Sequence, residues 1–190
     1  MKKAILSIAI FALTFISSSE VFAQKFPKMD VSPMDVASYP NNWRESNKLV
    51  KIVYSRPQLK GRDLAKLAPN DKVWRTGANE AAEITFYKDV NFGGSDVKAG
   101  TYTLFTIPSD SSWTIILSNH KNIWGSYFYK KEFDVARVPA KVSKFEESVE
   151  AFSIVFEGDE GSTKMHLGWA NTIVSVSVNK LNPDSKPIKG

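Results

Sequence analysis

The chain is 190 residues long, carries a formal charge of +5 and contains no cysteine. That length fits one core, since single domains grow to ~100–200 residues before splitting, and the apolar content is high enough to offset the entropy of ordering the chain. The lack of cysteine excludes disulfides, thiolate catalysis and cysteine metal ligation. The mild, scattered charge, with no basic run interleaved with aromatics, argues against a nucleic-acid partner.

Residues 1–23 read as a secretory leader: Lys2 and Lys3, an apolar run over residues 4–16, then Val21 and Ala23 at the small-residue positions before a cleavage site. Cleavage is expected before Gln24. The apolar run is shorter than the ~20 residues that span a bilayer. No membrane span is therefore expected after cleavage, and the mature chain is expected in the periplasm or outside the cell. Residues 24–47 carry Pro27, Pro33 and Pro40, which block long helices and central strands, so an extended arm is expected.

Alternation of Leu49, Lys51 and Val53 with Val50, Ile52 and Tyr54 predicts a strand over residues 48–55, ended by Pro57. One helical turn is expected over residues 63–67, stopped by Pro69. Residues 83–90 alternate Ile84, Phe86 and Val90 against Thr85, Tyr87 and Asp89, the pattern of a half-buried strand. Gly93-Gly94 and Ala99-Gly100 supply turns. Residues 101–107 and 113–118 form the clearest hairpin, with Trp113, Ile115 and Leu117 on one side of the second strand.

Residues 119–129 break the rhythm with His120, Asn122, Gly125 and a dense aromatic set, and read as a loop or irregular strand. A strand over residues 132–138 is expected to end at Pro139, and the charged residues 141–149 are ambiguous. Residues 151–157 and 163–169 flank a Gly-Asp-Glu-Gly turn, the second strand placing Met165, Leu167 and Trp169 on one face and His166 on the other. Residues 173–178 form the last strand, and the Pro-Lys-rich tail after Leu181 is expected to fray. About nine short strands with Gly, Pro, Asp and Ser turns predict an all-β, antiparallel β-sandwich or jelly-roll-like single domain over residues 48–180, with an open barrel as the alternative.

Three segments are distinctive: Ser-Arg-Pro-Gln-Leu-Lys-Gly-Arg at residues 55–62, Trp-Arg-Thr-Gly-Ala-Asn-Glu at 74–80, and Ala-Gly-Thr-Tyr-Thr-Leu-Phe-Thr-Ile-Pro at 99–108. With Trp113, Trp124-Gly125 and residues 134–137, they resemble the domain of unknown function 2911 family of exported bacterial proteins, common in Bacteroidetes. The resemblance covers roughly residues 49–178. It implies no activity and no catalytic residues.

The residues themselves point to binding rather than catalysis. Arg56, Arg62 and Arg75 sit in or beside turns, where side chains can be displayed from a rigid sheet, and guanidinium forks take carboxylates and phosphates at two points. Asn79 and Glu80 would complete such a pocket; alternatively, Arg75 and Asn79 tie down a loop through backbone carbonyls while Glu80 or Glu83 pairs with an arginine. His120 suits a general base or simply a solvated loop. Trp124, Tyr127 and Tyr129 would serve as a sugar-stacking platform or as core. No histidine has a partner at metal-ligand spacing, and no nucleophile elbow, phosphate loop or dinucleotide fingerprint occurs. No cofactor is implied. The expected partner is a small polar ligand, a glycan or an envelope protein. The competing reading is a hydrolase using carboxylates such as Glu80 and Asp134, which must flank one cleft. A structural module without a ligand is the third reading.

Overall fold

The computed structural model describes residues 25–159 and 161–181; the expected leader and the tail beyond Leu181 lie outside them. Regular structure among the described residues is almost all antiparallel strand, 53 % strand against 4 % helix. The strands are β1 (Met34–Tyr39), β2 (Val50–Ser55), β3 (Ala82–Phe86), β4 (Val90–Phe92), β5 (Ser95–Val97), β6 (Gly100–Ile107), β7 (Ser112–Ser118), β8 (Asp134–Glu157) and β9 (Lys164–Lys180), with a short α-helix α1 (Leu64–Leu67) and a 3-10 turn at Lys131–Phe133. They form a single nine-stranded sheet in the order β1-β2-β3-β6-β7-β8-β9-β4-β5. No helix among the described residues is long and apolar enough to cross a membrane.

The sheet folds over because β8 and β9 are each shared between two parts of it. Residues 134–141 of β8 pair with β7 and residues 142–157 with β9. β9 in turn pairs with β8 over residues 164–174 and with β4 over residues 178–180. Register shifts between Lys144 and Ser153, and a left-handed Ala170 at φ 51°, supply the bends. The chain leaving β2 then returns to β8: Phe152 N–H donates to Pro57 O at 2.9 Å, and Leu59 N–H to Glu150 O at 2.9 Å. Opposing faces thus enclose one core around Trp74, which stacks on Trp169 at 5.4 Å and meets Phe152 and Trp113 edge-on. β6 and β7 are buried on both faces, because residues 119–129 lie over their outer side. There Phe105, Ile116 and Ile123 make a second small cluster with Tyr129 against it.

The fold class and the β6–β7 hairpin match the pattern reading, as does the single turn at residues 64–67. Four boundaries differ. The arm over residues 24–47 contains the six-residue strand β1, bracketed by Pro33 and Pro40; it is terminal in the sheet, where flanking prolines are tolerated. The strand expected over residues 83–90 breaks after Phe86, and Val90 opens β4, which pairs with β9 instead. Pro139 does not end its strand. Its neighbour Ala140 and the Val142 N–H, which bonds Ser111 O, set the ladder phase, so the Pro139 nitrogen faces away from β7 and no ladder bond is lost. Finally, the strands expected at residues 163–169 and 173–178 are one, bent at Ala170.

Candidate ligand-binding groove

The loop after Trp74 is held by backbone hydrogen bonds, left-handed residues and one close approach to β2. Trp74 exchanges both backbone hydrogen bonds with Thr106, at 2.7 and 2.9 Å. Thr76, fully buried, then adopts φ 54°, a left-handed conformation that costs a β-branched residue ~1–3 kcal/mol. Gly77 follows so close to β2 that a Cβ there would meet Ser55 O at 3.0 Å. Asn79, at φ 59°, completes the reversal.

This loop pairs with the aromatic loop. Gly125 N–H donates to Asn79 O at 2.9 Å and Ala81 N–H to Ile123 O at 2.8 Å, which places Glu80 directly opposite Trp124. Such a pair, flanked by hydrogen bonds but exchanging none itself, is the close kind, with Cα atoms ~4.5 Å apart and both side chains on one face. Glu80 and Trp124 therefore project together. They flank a groove of two adjoining lobes. The first, about 240 Å³, runs between Asp30, Met34, Asn79, Glu80 and Trp124. The second, about 150 Å³, runs over Val53 and Ile123 to Glu83 and Asn122, and the lobes share Met34, Ser55 and Glu80. Trp124 is 57 % exposed, a large aromatic face left open to solvent beside carboxylates and amides.

Of the seven predicted site residues, the fold brings Asn79, Glu80 and Trp124 together. Tyr127 stands nearby with its ring against Gly125, though 80 % exposed and outside the groove lining. Arg56 is engaged elsewhere: Nε donates to Phe152 O, Nη2 to Ser153 Oγ at 2.7 Å, and Nη1 pairs with Asp35. Arg75 is half-buried, its Nε without a hydrogen-bond partner among the described residues, and it does not line the groove. The His120 ring packs on Phe133, with centroids 4.9 Å apart, while its carbonyl accepts a bond from the Thr103 hydroxyl.

Asp134 belongs to a separate polar cluster. The Tyr129 hydroxyl donates to Asp134 Oδ2 at 2.6 Å, and Arg137 Nη1 donates to both. Burial, reinforced by the bond to the Asp134 carboxylate, pushes the Tyr129 phenol up to about 12. Asp134 does not line the groove, so the fold does not set it beside Glu80 across one cleft. Among the described residues, no group of three histidine, cysteine or acidic side chains is placed to hold a metal ion.

A family model described as "Protein of unknown function (DUF2911)" matches residues 32–178. The chain belongs to the DUF2911 family. No curated protein and no solved structure matches it. Within the DUF2911 span lie both pairing loops and every groove-lining residue except Asp30. Sequence reasoning missed Met34, Ser55, Glu83 and Asn122. Glu83 was within reach, because the alternation that buries Ile84 and Phe86 turns Glu83 outward. Met34 was not, because it depends on β1.

Proposed function

We propose that this DUF2911 protein is an exported, non-catalytic binding module that holds a small polar ligand of the glycan type in the groove, its ring lying on Trp124. The observation carrying this reading is the Glu80–Trp124 pair: a flat apolar face beside a carboxylate, with Asn79 adjoining, offers stacking area and hydrogen-bond acceptors at one spot. The strained Thr76–Asn79 loop supports it, since backbone held in sparsely populated conformations clusters at functional sites. Hydrolysis by Glu80 and Asp134 is less well supported, because Asp134 is engaged by Tyr129 and Arg137 away from the groove.

The test is a thermal-shift and tryptophan-fluorescence screen of the mature chain, residues 24–190, against a panel of monosaccharides, run in parallel on Trp124→Ala. A ligand at a hundred times its dissociation constant adds about 2.7 kcal/mol of stability. The expected result is a hit that quenches or shifts fluorescence in the wild type and vanishes in Trp124→Ala, whose own melting temperature is little changed. A ligand bound equally by that variant would overturn the reading.

A further inference from the structure

The groove is mainly apolar in its floor and walls, with Met34, Val53, Ile123 and Trp124, yet its charged members all carry one sign. Asp30, Glu80 and Glu83 are acids, and among the described residues no lysine, arginine or histidine lines either lobe. This runs against a chain whose bases outnumber its acids, 25 to 20. None of the three carboxylates forms an ion pair among the described residues. Among the described residues their other engagements are few: Asp30 Oδ1 accepts the Ser32 N–H at 2.7 Å, Glu83 Oε1 accepts the Asn122 N–H at 3.4 Å, and the Glu80 side chain makes no hydrogen bond. The acceptor capacity of the groove is thus open, and nothing in its lining balances the negative charge.

Resting on the binding reading above, we infer that the occupant is cationic: an amino sugar whose protonated primary amine sits between Glu80 and the face of Trp124. The chemistry is complementary at each contact. An ammonium over an indole face is attracted by the ring quadrupole, and tryptophan is the best of the aromatics for this. Its N–H bonds to a carboxylate are charge-assisted and roughly twice as strong as neutral ones. The cross-strand pairing that sets Glu80 opposite Trp124 lets one nitrogen reach both. Asp30 in the first lobe and Glu83 in the second add attraction for a cation and penalise any anion, so the same residues that favour an amine reject a uronic acid.

The experiment titrates wild type, Glu80→Gln and Glu83→Gln with D-glucosamine, D-glucose, N-acetyl-D-glucosamine and D-glucuronate at neutral pH, following heat and tryptophan fluorescence. Melting temperatures confirm that each variant is folded. Glucosamine is expected to bind about tenfold tighter than glucose or the N-acetyl sugar, the size of one charge-assisted contact. Glucuronate is expected to be the weakest. Glu80→Gln should reduce the preference to near parity, Glu83→Gln should reduce it in part, and added salt should weaken glucosamine alone. If glucose and the N-acetyl sugar bind as tightly as glucosamine, the amine assignment fails while the groove stands. If none of the four binds, the binding reading fails and the amine assignment fails with it. A glucosamine preference that survives Glu80→Gln unchanged would also overturn the assignment.

Discussion

Arg56 Nη1 lies 3.0 Å from Asp35 Oδ2, and the same guanidinium reaches Phe152 O through Nε at 3.0 Å. One side chain therefore straps the terminal strand β1 to β8 across a junction that no backbone ladder closes. The β8 contacts are hydrogen bonds from a charged donor, worth more than a half-exposed ion pair. Arg56→Ala is expected to cost about 2–3 kcal/mol and Asp35→Ala about 1 or less, read from urea midpoints at constant slope. Arg56→Lys should recover little, because an ammonium lacks the fork that serves three acceptors at once. Equal losses for Arg56→Ala and Asp35→Ala would show that the ion pair, not the β8 contacts, carries the strap.

Gly125 combines two constraints. It sits at φ 66°, and a Cβ there would meet the Tyr127 ring at 2.7 Å. Gly125→Ala should cost about 1–2 kcal/mol from the left-handed backbone alone, with the clash added to it. Tyr127→Ala by itself should be nearly neutral, since the ring is largely exposed. Combining the two should return the clash component and leave the backbone component, a coupling that a double-mutant cycle measures directly. Strict additivity would mean that the ring swings aside at no cost.

Pro139→Ala is expected to change stability by no more than about 0.5 kcal/mol. The proline nitrogen faces away from β7, so the new N–H enters no ladder, and the φ constraint suits an extended strand. A change above about 1 kcal/mol in denaturant unfolding would show that this edge is paired or covered.

Tyr129 gives the protein an alkaline dependence. Its phenol is held at about 12 in the folded state, above the ordinary value of ~10. The folded chain therefore keeps a proton that the unfolded chain releases. The stability tied to this group is complete below pH ~10 and is lost as pH rises toward ~12. Tyr129→Phe should flatten that window. At neutral pH it should cost about 1 kcal/mol, as Asp134 Oδ2 loses one of its two donors. Unfolding free energies for both proteins between pH 8 and 12 test this; parallel curves would remove Tyr129 as the source.

What the sequence disclosed tracks how local the cause is. The face of Trp113, Ile115 and Leu117 follows from the two-residue period, which needs no partner to be read. Asn79, Glu80 and Trp124 were singled out as unusual residue types in loops, and the fold joined them. Their direct opposition was not legible, because it depends on a bridge between loops more than forty residues apart. Arg56 shows the reverse case. A guanidinium in a turn suits an anion pocket, but whether carbonyls of β8 reach it first is a tertiary fact. Pro139 misled for a similar reason: proline forbids a ladder bond only on the side its nitrogen faces, and that side is set by β7.

The sharing of β8 and β9 between both parts of the sheet also governs how the protein must assemble. Neither part can detach without tearing a strand that the other needs, so equilibrium unfolding should be a single cooperative step with no half-folded state. The contacts that close the structure join segments as far apart as Tyr39 and Gly158, 119 residues along the chain. Such non-local closure places folding in the slow range of ~milliseconds to seconds. Until it is complete, the β8 backbone at Glu150 and Phe152 lacks its partners Leu59 and Pro57, and a chain without disulfides has only the speed of that last step to keep this stretch from pairing with a neighbour.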